Sequence, residues 1–180
     1  MSMRMQEIIT RELTRLGGPL RTLETGSIRS SEPRYEAGDG WSTLAFARYA
    51  RDHGGVFVSI DLDTSAAEEV LVREGLRESV DLREGNSLDV LPEIIESGMG
   101  LDVVLLDSDN DADLILDEFD VVRRALAPGS VLLVDDVVPG SRTVVKGKKL
   151  LPFLESHGYE PEIIEREGDG FTSGVLKVVL

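Results

Sequence analysis

Leu101-Asp102-Val103-Val104-Leu105-Leu106-Asp107 is a nearly unbroken apolar run that ends on an acid. A run this short and this apolar reads as a strand covered on both faces, which is the signature of a parallel sheet. Val56-Phe57-Val58-Ser59-Ile60 upstream and Val131-Leu132-Leu133-Val134 downstream repeat it. Apolar residues at helical spacing fill the intervals: Ser65 to Glu78, with a capping box from Ser65 and Glu68; Leu88 to Ser97, ended by Gly98; and Asp113 to Leu126, stopped near Pro128-Gly129. Val80 to Glu84 alternates apolar and polar, as a half-exposed edge strand does. Toward the N-terminus, Met5, Ile8, Ile9, Leu13 and Leu16 form a short amphipathic helix that Gly17-Gly18-Pro19 stops. Leu20 to Glu24 reads as the first strand, and Trp41 to Asp52 is helical up to His53-Gly54-Gly55. Strand followed by helix, five times over, calls for right-handed crossovers with helices on both faces of the sheet. The far end differs. Leu150 to His157 is helical, but Pro161 to Arg166 and Val175 to Leu180 are strand-like with only Glu167 to Gly174 between them. That interval is too short for a crossover helix, so the last pair is antiparallel.

The 180 residues, 41% hydrophobic and 29% charged, fit one globular domain spanning 1–180, with residues 1–19 as an N-terminal helix and 27–37 as a loop insertion. The absence of cysteine excludes disulfides, thiolate metal sites and a cysteine nucleophile. With 34 acids against 19 Lys and Arg, the formal charge is −15, which would repel a phosphate backbone, so no nucleic-acid partner is expected. Met1 to Gly18 holds no leader-like apolar stretch and nothing approaches the roughly 20 apolar residues of a membrane span, so a cytoplasmic protein without membrane contact is expected.

Three positions at successive strand ends carry chemistry. Glu24-Thr25-Gly26 follows the first strand and, after the insertion, Gly38-Asp39-Gly40-Trp41-Ser42-Thr43-Leu44 leads into a helix. Glycines let a backbone approach a ligand, and a helix N-terminus offers free N–H groups to a carboxylate. Asp61 ends the second strand, where wound folds place an acid that accepts from ribose hydroxyls, while Asp63 reads as a helix cap. Gly85-Asn86-Ser87 follows the third strand, and there ligand contact and helix capping are both open.

In this order the motifs resemble those of class I S-adenosylmethionine-dependent methyltransferases, in particular the small-molecule O-methyltransferases that include catechol O-methyltransferase, from about Leu20 to the end. The resemblance implies a Rossmann-like α/β sandwich with a mostly parallel seven-stranded sheet in the order 3-2-1-4-5-7-6 and an antiparallel C-terminal hairpin. It implies S-adenosylmethionine as cofactor, held by Glu24, Thr25, Gly26, Gly38, Gly40, Trp41, Ser42, Asp61, Asn86, Ser87 and Asp107. The methionine carboxylate would meet the glycine loop and helix start, and the adenine Asn86 and Ser87.

Asp107 ends the fourth strand and Asp135-Asp136 the fifth. In that sheet order these strands are neighbours roughly 4.8 Å apart, beside the crevice where the order reverses. Three carboxylates would then converge and repel unless a cation neutralises them. The cation-dependent members hold a divalent metal such as Mg²⁺ at the matching positions, through oxygen ligands that such ions accept. The implied activity is methyl transfer to an oxygen of a small-molecule acceptor, with Asp107 and Lys146 as the catalytic candidates. The chain departs from the pattern at Asn110, where the family has a lysine held to be the base, and Asp136 makes the metal site more negative than an Asn would. His53 and His157 each follow a helix, on the side away from the crevice. Arg142 to Lys149 carries three of the four lysines and suggests an anionic acceptor. The insertion Ser27 to Ala37, with Arg29, Arg34 and Tyr35, suggests a lid, and the acidic stretch Asp109 to Asp120 the solvated start of a helix. Two rival readings are a module that holds S-adenosylmethionine or S-adenosylhomocysteine without turnover, and a nicotinamide-dependent oxidoreductase, against which the missing third glycine after Gly38 and Gly40 argues. A homodimer is compatible with the sequence.

Overall fold

A computed structural model describes residues 3–33, 41–137, 145–166 and 173–180. The strands are β1 (Leu20–Thr25), β2 (Gly55–Asp61), β3 (Asp81–Glu84), β4 (Leu101–Leu106), β5 (Leu126–Val134), β6 (Glu162–Arg166) and β7 (Ser173–Val179). The α-helices are α1 (Met5–Leu16), α2 (Ser42–His53), α3 (Ser65–Arg73), α4 (Ser87–Glu96), α5 (Ala112–Val122) and α6 (Gly147–Ser156). One seven-stranded sheet has the order β3-β2-β1-β4-β5-β7-β6, the order that the family resemblance implies. β1 to β5 pair in parallel, and β7 is antiparallel to both β5 and β6.

The unbroken apolar runs are explained by what covers them. Val103 and Leu105 of β4 face one layer, with Ile8, Ile9 and Leu13 of α1, Leu44 and Phe46 of α2, and Val70 and Leu71 of α3. Val104 and Leu106 face the other, with Leu91 and Ile94 of α4, Ile115 and Phe119 of α5, and Leu150 and Leu154 of α6. Because successive side chains alternate between faces, a strand buried on both sides must be apolar at every position. β3 lies at the sheet edge and is largely exposed, which accounts for its polar alternation.

Three element boundaries differ from the sequence reading. α3 ends at Arg73, and Gly75 at φ +67° leads into a 3₁₀ turn over Arg77–Ser79. The capping box of Ser65 and Glu68 does not form: Asp63 Oδ1 accepts from Ser65 N at 2.9 Å, and the Glu68 carboxylate is taken by Arg77. α5 stops at Val122 and β5 starts at Leu126, so Pro128 and Gly129 sit inside a strand. The pairing of β4 with β5 shifts register between Leu101 and Val103, and a strand interrupted in this way tolerates Pro. α6 begins at Gly147, three residues before the apolar periodicity becomes visible at Leu150.

Candidate active site

The sheet order reverses between β1 and β4, and the site opens at the C-terminal ends of the strands beside that point. Gly26 lies in the gap. Its N–H donates to the Ile60 carbonyl at 2.8 Å, its φ is +84°, and a Cβ built there would lie 2.3 Å from the Asp107 carbonyl oxygen. Only glycine lets the chain leave β1 while β4 passes so close. The space this preserves is a cleft lined by Gly26, Ile60, Asp61, Asn86, Ser87 and Ser108. Gly26, Asp61, Asn86 and Ser87, singled out from sequence on three separate strand ends, therefore share one cavity.

Asp61 is held in place before any ligand arrives. Its Oδ2 accepts from Ser27 N at 2.6 Å, and its Oδ1 accepts from Asp63 N at 3.3 Å. Asn86 caps α4 by accepting from Leu88 N at 2.9 Å, so its carbonyl oxygen has a structural duty while the residue lines the cleft. Leu62, 73% exposed at the cleft edge, and Leu114 of α5 supply apolar lining that the sequence reading did not single out. The position of Leu62 directly after the acid was the available signal.

Glu24 lies beneath the cleft rather than on its wall. Fully buried, it accepts hydrogen bonds from Thr43 Oγ1 at 2.5 Å, Ser59 Oγ at 2.7 Å and Ser42 Oγ at 2.8 Å. These bonds tie β1 and β2 to the first turn of α2. Burial pushes its pKa up to about 7, against the three hydroxyls, which lower it. Ser42 is spent on this tie, and Trp41, at φ +37° and 3% exposed, is packed with Arg73 over its ring. Thr25 donates from Oγ1 to Glu118 at 3.0 Å. Glu118 is fully buried, which corrects the reading of Asp109 to Asp120 as uniformly solvated: Asp111 does cap α5, but Glu118 shares the inward face with Ile115, Phe119 and Val122. Burial raises the Glu118 pKa, opposed by the nearby hydroxyls of Ser87, Ser108 and Thr25. Ser108 Oγ lacks a well-formed hydrogen bond and lies at the cleft, a polar atom that a ligand would satisfy. Gly38 and Gly40 fall outside the described residues, as do residues 34–37 of the insertion, with Arg34 and Tyr35, and Arg142.

At the ends of β4 and β5, Asp107, Asp135 and Asp136 meet as expected, with one carboxylate oxygen of each within 4.8 Å of the others. Asp136 turns out of β5 at φ +54°, a conformation Asp tolerates better than most residues. Lys146 joins them: 2% exposed, its ammonium is ion-paired with Asp107. Burial pulls the lysine pKa down, but Asp107, Asp135 and Asp136 outweigh it and hold it above the ordinary lysine value. Such a group keeps its proton at neutral pH, so Lys146 is placed as a charge. Asn110 accepts on Oδ1 from Val145 N at 2.9 Å and so fixes the segment that carries Lys146. Lys149 is paired with Asp113, so two lysines of the basic stretch are already matched with acids and do not form an open anion patch. His53 stacks on Tyr49 and His157 on Phe153, away from the cleft as expected.

The three carboxylates have the hard oxygen donors that a divalent metal accepts, but one of them, Asp107, is already paired with an ammonium whose charge the other two also feel. As arranged, the set does not fit a divalent ion.

Comparison with known proteins agrees with this architecture. A family model described as a methyltransferase domain matches residues 35–137, more than half of the chain, and the chain belongs to that family. A catechol O-methyltransferase of Niastella koreensis is 29% identical over 103 residues, covering 55% of this chain and 45% of that protein, so the chain spans about half the length of the curated relative it matches. Among solved structures, the O-methyltransferase TomG of Streptomyces achromogenes, in complex with S-adenosylmethionine, has a TM-score of 0.75 at 24% identity over 97% of this chain and 78% of that one. An O-methyltransferase of Bacillus cereus in complex with S-adenosylhomocysteine has a TM-score of 0.73 at 21% identity over 98% and 79%. These likenesses establish the Rossmann-like methyltransferase sandwich. Among the described residues no helix is long and apolar enough to cross a membrane.

Proposed function

We propose that this chain transfers the methyl group of S-adenosylmethionine to a hydroxyl oxygen of a small-molecule acceptor. The observation that carries this reading is the single cleft at the sheet reversal in which Gly26, Asp61, Asn86 and Ser87 meet. The names of the relatives, which include methyltransferases acting on oxygen and bound to this cofactor or its product, support it. The bound cofactor would supply an activated methyl group on sulfur. Asp61 would accept from the ribose hydroxyls, with Ser27 keeping its carboxylate in position, and Asn86, Ser87 and Ser108 would meet the adenine end. The amides at the start of α2, which Glu24 anchors, would face the methionine carboxylate. The acceptor would lie toward the acid cluster of Asp107, Asp135 and Asp136, the Asp107 carbonyl lying beside Gly26 of the cleft. Because displacement at carbon needs an aligned oxygen, the chain's task there is to orient the hydroxyl and exclude water.

Calorimetric titration with S-adenosylmethionine and S-adenosylhomocysteine tests the reading. Micromolar binding that weakens at least about tenfold in Asp61→Ala is expected, since hydrogen bonds to a charged acceptor contribute about 1.5–3 kcal/mol. No heat with either compound overturns it. Binding without turnover over a panel of hydroxylated acceptors would make the chain a cofactor-holding module instead.

A further inference from the structure

We propose that Lys146 is the resident cation of the acid cluster at the ends of β4 and β5: its ammonium stands where a divalent metal would be needed among Asp107, Asp135 and Asp136, so the site operates without one. This rests on the reading of the cleft as a methyl-transfer site, but its core is a statement about cation occupancy that can be measured alone.

Convergent acids at strand ends need a positive charge nearby. Here the chain provides it. Lys146 is 2% exposed, a burial that an unpaired lysine would resist, and its partner Asp107 is the one of the three acids whose carbonyl lies beside Gly26 of the cofactor cleft. The lysine is not a surface side chain folded inward by chance. It immediately precedes α6, and the start of that helix is fastened to the β4 end at three points: Asn110 to Val145 N, Lys149 to Asp113, and Lys146 itself to Asp107. Gly147, the next residue, lies where a Cβ would come 3.1 Å from Val137 Cβ, so the helix start is pressed against the segment that leaves β5. These contacts deliver the ammonium to the carboxylates with little freedom to withdraw. A divalent ion bound to the same three acids would sit at close range to a fixed positive charge and would have to displace it from Asp107.

The two cations are not equivalent in what they offer an acceptor. A metal leaves several adjacent coordination positions open and can hold two neighbouring oxygens, whereas an ammonium has three donors and spends at least one of them on Asp107. The site is therefore suited to an acceptor that presents one hydroxyl, with the lysine charge favouring its ionised form.

Metal-stripped protein titrated with Mn²⁺ and Ca²⁺, followed by calorimetry and by melting temperature, tests the proposal. The wild type is expected to show no saturable binding tighter than about 1 mM, the weak end of protein sites for such ions, and no change in melting with chelator. Lys146→Met should gain at least about tenfold in affinity and acquire metal-dependent stabilisation, and adding Asp135→Asn should remove the gain. Lys146→Arg, which keeps the charge, should remain without metal affinity. Micromolar binding by the wild type overturns the proposal and needs no variant, as does a folded Lys146→Met that gains nothing. Failure of S-adenosylmethionine binding in the separate titration would instead remove the methyl-transfer reading and leave the cation result standing.

Discussion

Glu24 at the end of β1 and Asp107 at the end of the adjacent β4 both confront the burial of a carboxylate at a strand terminus, and the molecule resolves them in opposite ways. Glu24 is surrounded by hydroxyls alone, and burial raises its pKa to about 7. Asp107 shares its surroundings with two more acids and receives an ammonium from Lys146. The first solution makes the carboxylate a structural knot whose charge depends on pH. The second pairs the carboxylate with a buried ammonium at the ends of β4 and β5. Neighbouring strand ends in one sheet thus acquire different chemistry from the helix start packed against each: Ser42 and Thr43 of α2 at β1, Lys146 ahead of α6 at β4.

The two solutions meet at Gly26, and the largest effect is expected there. Gly26→Ala would place a methyl 2.3 Å from the Asp107 carbonyl oxygen in a backbone conformation that L-residues resist. Overpacking and left-handed strain together should cost roughly 4 kcal/mol, about 8–16 °C in melting temperature for a chain of this size. Melting would check this, and a shift of less than about 4 °C would mean that β1 and β4 can separate without loss, so the two acid sites would not share a rigid frame.

Next in size is the pH response of Glu24. An acid whose folded pKa is raised holds more protons in the folded state than in the unfolded one. Its contribution to stability is therefore fully present below the unfolded value of 4.5 and is lost as pH rises toward the folded value of about 7. The difference corresponds to about 3 kcal/mol. Glu12 and Asp102, whose pKa values ion pairs hold low against burial in the one case and with Arg21 as the leading cause in the other, lose stability only as pH falls below the ordinary carboxylate range. They do not mask the window between pH 5 and 7.5. Glu118, whose pKa burial also raises, adds a decline of the same sign, so urea unfolding across that window should show wild-type stability declining with pH, and Glu24→Gln, which stays neutral among the same hydroxyls, should make the decline shallower without abolishing it. An equally steep decline in the variant would assign the slope to other groups.

The same contrast explains what could be read without coordinates. The parallel strands and the hairpin were legible because strands buried on both faces must be almost wholly apolar, as Val103–Leu106 and Val131–Val134 are, whereas the sheet order came from the resemblance of the strand-end motifs to a known family. Gly26, Asp61, Asn86 and Ser87 were legible because each follows its strand directly, so chain order fixes their place. Lys146 could be named from its sequence position after β5, yet its burial and charge state could not, since both depend on how α6 folds back over the β4 end. Glu118 was hidden for a related reason: an acid within an acidic helix looks solvated until the helix face it shares with Phe119 is known. The Glu24 tie was missed because its partners lie on β2 and α2, out of local reach.

The smallest predicted effect separates charge from scaffolding at Lys146. Asn110 is exposed and its described bond to Val145 N spans two loops, so Asn110→Ala should cost about 1 kcal/mol, or 2–4 °C in melting temperature. Lys146 would still pair with Asp107 and still abut α6, which Lys149 and Gly147 fix independently. Metal affinity in this variant should therefore stay as weak as in the wild type. If instead Asn110→Ala gained Mn²⁺ binding as Lys146→Met is expected to, the strap rather than the ammonium would be what keeps a divalent ion out. Lys146 would then be a lysine that yields to a metal whenever its loop is free to move.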